Sequence, residues 1–81
     1  MTEYARPAKR SLTLCGHRTS VTLEEPFWKK FQDIATDEEI SVNALASRID
    51  ASRPAGVGLA SAIRVYVLKS VSAQKPGVRL E

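Results

Sequence analysis

At Glu24-Glu25-Pro26 the hydrophobic period of this chain changes. Before it, in Arg18-Thr19-Ser20-Val21-Thr22-Leu23, polar residues at 18, 20 and 22 alternate with the apolar Val21 and Leu23, the period of a half-buried strand. After it, Phe27, Phe31, Ile34 and Ala35 recur at i, i+4 and i+7 to i+8, the spacing that gathers side chains on one face of a helix. Two carboxylates and a proline at the junction suit a helix start. Proline is tolerated in the first turn, and acidic groups there favour the positive end of the helix dipole. A short strand therefore runs directly into an amphipathic helix of about residues 26–37.

A second strand precedes the first. In Lys9-Arg10-Ser11-Leu12-Thr13-Leu14 the alternation continues backwards through a turn at Cys15-Gly16-His17. A two-residue turn at Cys15-Gly16 pairs Thr13 with Arg18 and Ser11 with Ser20, whereas one at Gly16-His17 pairs Thr13 with Ser20 and Ser11 with Thr22. Both registers place Ser11, Thr13, Arg18, Ser20 and Thr22 on one side and Leu12, Leu14, Val21 and Leu23 on the other. Thr19 falls on the apolar side. Downstream, Ser41 is a good N-cap for a second helix whose stripe is Val42, Leu45 and Ile49. Proline and two glycines in Arg53-Pro54-Ala55-Gly56-Val57-Gly58 interrupt it. A third segment, about residues 59–71, carries Leu59, Ile63, Tyr66, Val67 and Val71 at helical spacing, although its β-branched content also permits a strand at 63–68. The organisation expected is an arm at residues 1–8, one domain at 9–72 and a flexible tail at 73–81.

An 81-residue chain with one cysteine and one histidine has neither an internal disulfide nor a Cys/His structural zinc site to staple it, so self-association is expected. Residues 1–23 carry four cations and one carboxylate, residues 24–50 three cations and seven carboxylates, and residues 51–81 five cations and one carboxylate. Basic ends around an acidic middle allow the N-terminal part to meet a polyanion. No apolar run reaches the roughly 20 residues of a bilayer span, and the start lacks the apolar centre of a signal peptide, so a cytoplasmic protein is expected. Cys15 and His17 read as turn residues, Asp37-Glu38-Glu39 lacks calcium-loop spacing, and Gly56-Val57-Gly58 lacks the context of a phosphate loop. Neither an enzyme nor a cofactor or metal site emerges.

Strand, helix, tight turn and helix over residues 18–51, with RTSVTL, EEPFWKKF and ISVNAL at the three decisive places, resemble the ribbon-helix-helix family, the fold of the MetJ, Arc and CopG repressors. The resemblance implies a mainly helical α+β fold in which two identical chains pair strands antiparallel into a ribbon that enters the major groove of double-stranded DNA. It implies a homodimeric transcriptional regulator of bacterial type, and it assigns roles. Arg18, Ser20 and Thr22 would contact bases, Arg18 by two hydrogen bonds to guanine and the hydroxyls more permissively. Ser41, Val42 and Asn43 would hold a phosphate at the start of the second helix, with Lys9 and Arg10 as further phosphate contacts. Val21, Leu23, Phe27, Trp28, Phe31, Leu45 and Ile49 would form the dimer core. The strand before the ribbon and the helix after residue 58 are additions to the basic pattern and match a subgroup with an extended C-terminal segment. The alternative reading is a protein-interaction module on the same dimer fold, antitoxin-like or binding a partner through the C-terminal segment.

Overall fold

A computed structural model of the chain describes residues 6–73; the outer parts of the expected arm and tail, residues 1–5 and 74–81, lie outside the described residues. Two strands, β1 (Ala8–Leu14) and β2 (His17–Leu23), form an antiparallel hairpin, followed by helices α1 (Glu25–Asp37), α2 (Val42–Ser52) and α3 (Leu59–Ala73). The turn is the two-residue one at Cys15-Gly16: Leu14 pairs with His17, Thr13 with Arg18 and Ser11 with Ser20. Both turn residues have positive φ, 50° at Cys15 and 85° at Gly16, as a type I′ turn requires for its twist to match that of the strands. β1 begins at Ala8, the last residue of the segment expected as an arm.

The three helices cover one face of the hairpin. Leu12, Val21 and Leu23 from the sheet meet Phe31, Ile34 and Ala35 from α1, Leu45, Ala46 and Ile49 from α2, and Ile63 and Val67 from α3 in one buried cluster. Segment 59–73 is a helix, and it belongs to the core because Ile63 and Val67 enter this cluster. Thr19 lies on the covered side by register yet is exposed, which explains why a hydroxyl residue is tolerated there. Val21, Leu23, Phe31, Leu45 and Ile49, expected in a dimer core, leave water within one chain; Phe27 and Trp28 are partly buried against the same cluster.

Local chemistry sets the helix ends. α1 closes at Glu38 and Glu39, with Glu38 N–H donating to Ile34 O and Ile40 N–H to Ala35 O, both at 3.0 Å. That closure holds Glu39 at φ 60°, a left-handed position normally taken by glycine. Ser41 caps α2, its hydroxyl accepting from Ala44 N–H at 2.9 Å. Between α2 and α3, Val57 N–H donates to Pro54 O at 3.1 Å around Gly56 at φ 88°. Glu39 makes no ion pair among the described residues, so Glu39→Gly should relieve backbone strain and stabilise the protein by about 1 kcal/mol, a rise of roughly 4–8 °C in melting temperature; calorimetry of both proteins checks this.

Candidate nucleic-acid interface

A strand period of two divides the hairpin's side chains. The pairs Lys9–Thr22, Ser11–Ser20 and Thr13–Arg18 face away from the helices, and all six residues are exposed. Arg18, Ser20 and Thr22 are thus brought together on one face, as their alternation implied. Ser11 and Thr13 stand directly across from two of them and complete the surface. Their shared parity is visible in the sequence, although the resemblance assigns them no role.

Lys9 and Arg10 cannot share a face because they are consecutive on a strand. Lys9 faces out; Arg10, expected as a phosphate contact, faces in opposite Val21. Its guanidinium donates to Glu25 Oε1 at 2.9 Å and to Leu23 O at 3.3 Å and lies 5.6 Å from the Trp28 ring centroid. The side chain is only 17 % exposed, and its Nε is buried without a hydrogen-bond partner. This corrects the expectation: Arg10 fastens the end of the hairpin to α1, where Trp28 packs against Phe31 at 6.1 Å between ring centroids.

The two carboxylates after the ribbon are both engaged. Glu25 meets Arg10. Glu24 receives a fork from Arg64 of α3, Nε to Oε1 at 3.0 Å and Nη2 to Oε2 at 3.2 Å, while the same guanidinium donates to Thr22 O at 3.3 Å and lies 5.8 Å from the Phe27 ring centroid. Arg64, and then Glu24's own backbone hydrogen bond, hold the Glu24 carboxyl below the ordinary glutamate range. Their negative charge is therefore locally compensated beside the outward face.

α2 begins at the flank of this face. Ser41 satisfies Ala44 N–H and the first helical bond runs from Leu45 N–H to Ser41 O, leaving the Val42 and Asn43 N–H groups as the helix's free donors. The Asn43 side chain is engaged as well: its Oδ1 accepts from Thr13 N–H at 2.9 Å. Thr13 is a residue whose amide points to the outer edge of β1, so Asn43 closes that edge and fixes the start of α2 beside the ribbon. Ser41, Val42 and Asn43 are brought to the ribbon's side, the last as a tether as well as an amide donor.

A second polar cluster ties the helices together behind the sheet. Glu38 accepts from Arg48 at 2.8 Å and from the Tyr66 hydroxyl at 3.1 Å. Arg48 and then Tyr66 lower the Glu38 carboxyl, and burial, followed by Glu38, raises the Tyr66 phenol. Among the described residues no helix is long and apolar enough to cross a membrane, and no group of three or more His, Cys, Asp or Glu side chains is placed to hold a metal ion.

The model of a ribbon-helix-helix domain matches residues 7–71, most of the chain. The chain belongs to the ribbon-helix-helix domain family. That family comprises, in general, DNA-binding transcription regulators. Comparison with curated proteins and with solved structures gives no match. This ribbon-helix-helix chain differs from the pattern of one strand per subunit in that β1 and β2 complete a two-stranded ribbon within one molecule.

Since Glu24 and Glu38 both titrate below the ordinary carboxylate range, the stability they contribute is fully present above that range and is lost as pH falls through it towards their folded values. Glu24→Gln should flatten this acid limb and leave a smaller difference between neutral and acidic conditions. Urea midpoints measured from about pH 7 to about pH 3 for both proteins test it; identical slopes would contradict the role given to Glu24.

Proposed function

We propose that this chain binds double-stranded DNA sequence-specifically as a homodimer, with its β-ribbon in the major groove, and that it acts as a transcription regulator. The observation that carries the reading is the outward face, six exposed polar side chains with no apolar residue among them, beside a helix start with two free amides. A major groove about 12 Å wide accepts a two-stranded ribbon. Arg18 supplies the one bidentate donor able to select guanine, and Ser20 and Thr22 read adjoining edges permissively. Val42 and Asn43 N–H groups, oriented by the Ser41 cap, take a phosphate, and Lys9 takes another.

The two edges of the hairpin favour one mode of dimerisation. The start of α2 lies against the β1 edge, where Asn43 takes the Thr13 N–H; on the β2 edge Arg64 takes only Thr22 O, and the backbone groups of Arg18 and Ser20 that point away from β1 have no hydrogen-bond partner among the described residues. Antiparallel pairing of β2 with β2 of a second copy uses these groups. Four strands would span roughly 14 Å, slightly more than the groove, so the central β2 pair enters while sheet twist turns the β1 strands towards the groove walls. Lys9 and the start of α2 then lie on the side of the phosphates, which suits their chemistry.

Arg18→Ala should weaken binding to a duplex selected from a random pool by about 1–3 kcal/mol and relax preference at one base pair in each half-site, with little change on a scrambled duplex. Equal loss on both would make Arg18 a phosphate contact. Val42→Pro keeps a helix start, because proline fits this first position, but removes one free amide; it should weaken binding to both duplexes alike. For the dimer, Ser20→Pro removes the edge donor while sparing the pairs within the hairpin. Sedimentation on a duplex should show two chains for the wild type and Ser20→Ala and one for Ser20→Pro. Two chains with the proline variant would overturn pairing through β2.

A further inference from the structure

The outward face of α3 is unused by the ribbon, the core or the proposed dimer. Val65 and Leu68, 51 % and 63 % exposed, are the large exposed hydrophobic side chains among the described residues, and at i and i+3 they form a ridge on one face. A groove runs along each side of it. One, of 430 Å³, has Ile49, Val57 and Tyr66 in its floor and Arg48, Arg53 and Lys69 at its rim; the other, of 260 Å³, is floored by Phe27, Val67 and Val71 and bordered by Lys30. A ridge between two grooves is the relief against which a helix packs, and α3, 15 residues, is roughly 22 Å long.

Charge says which helix. Four cations and no carboxylate line the two grooves. Arg48 and Arg53 are paired from outside by Glu38 and Asp50, while Lys69 and Lys30, one on each groove, make no ion pair among the described residues. In a two-fold contact between α3 helices, Lys69 and Lys30 would meet groove linings that carry cations only, while Glu38 and Asp50 beside them are already taken by Arg48 and Arg53, which disfavours a second copy. We infer that this face docks an acidic amphipathic helix of a partner protein, its apolar stripe straddling Val65 and Leu68 and its carboxylates meeting Lys69 and Lys30. The partner class is thus a protein segment alternating acidic and apolar residues at helical spacing.

The test uses the full chain without DNA and a synthetic 15-residue helical peptide carrying Leu at i, i+3, i+4 and i+7 and Glu at its flanking positions, with a control in which every Glu is Lys. Fluorescence anisotropy should show the acidic peptide binding at least about tenfold more tightly than the basic one, and amide shifts should cluster on the face of α3 around Val65 and Leu68. Leu68→Asp, at a side chain that is mostly in solvent, should abolish binding with no loss of melting temperature. Lys69→Glu should narrow or invert the preference between the peptides. The inference is overturned by no binding, by equal binding of the two peptides, or by shifts away from α3. It is also overturned by a doubling of mass in light scattering that Leu68→Asp removes, which would give the face to a second copy, or by acidic-peptide binding that appears only after deletion of residues 74–81, which would give it to the chain's own tail.

Discussion

The two-residue turn at Cys15-Gly16 fixes everything that follows in this molecule. Because side chains alternate across a strand, one residue of slippage in the pairing of β1 with β2 would exchange the faces of one strand and bury polar groups under the helices. With Thr13 opposite Arg18, four of the strand hydrophobics meet the helices and six polar groups face solvent together. The same parity sends Lys9 outward and Arg10 inward, so two adjacent cations of like charge acquire different tasks. It also decides which backbone groups point to the outer edges, and therefore where Asn43 can bind and where a second chain can pair.

Around this register the helices act as brackets. Arg10 and Glu25 join the open end of the hairpin to the start of α1, and Arg64 reaches from α3 to Glu24 and Thr22 O at the same end. Near the turn, Asn43 joins β1 to the start of α2. The ribbon is thus held at both ends, and the amides of Val42 and Asn43 have a fixed offset from Arg18. In the proposed complex, this fixed spacing between Arg18 and the start of α2 would set the register of the domain on a duplex.

The sequence made the elements legible because its periodicities are clean. Strand alternation, the Glu-Glu-Pro junction, the Ser41 cap and the Pro/Gly break at 53–58 each correspond to an element boundary. The face shared by Arg18, Ser20 and Thr22 was legible for the same reason. Three things depend on long-range contacts and were not. Asn43 reads as a phosphate contact at the helix start, and its bond to the Thr13 N–H becomes visible only when β1 is placed beside it. Arg10 reads as a second cation beside Lys9 at the start of the first strand, and its partner Glu25 appears only when α1 is placed against the hairpin. Burial of the α1 and α2 stripes within a single chain follows from α3 and β1 completing the cover, which the basic strand-helix-helix pattern leaves to a partner. The family match supports the strand-helix-helix reading and, at the level of the family, DNA binding.

In the proposed complex the outward ribbon face and the start of α2 meet DNA as one surface. This is tested most directly by recording amide chemical shifts while a duplex selected from a random pool is added to the full chain. The largest changes should fall at Arg18–Thr22, at Ser11 and Thr13, and at Val42 and Asn43, with Val65 and Leu68 on the far side of α3 unmoved. Changes concentrated on α3, or a ribbon face that stays silent while the duplex binds, would contradict it.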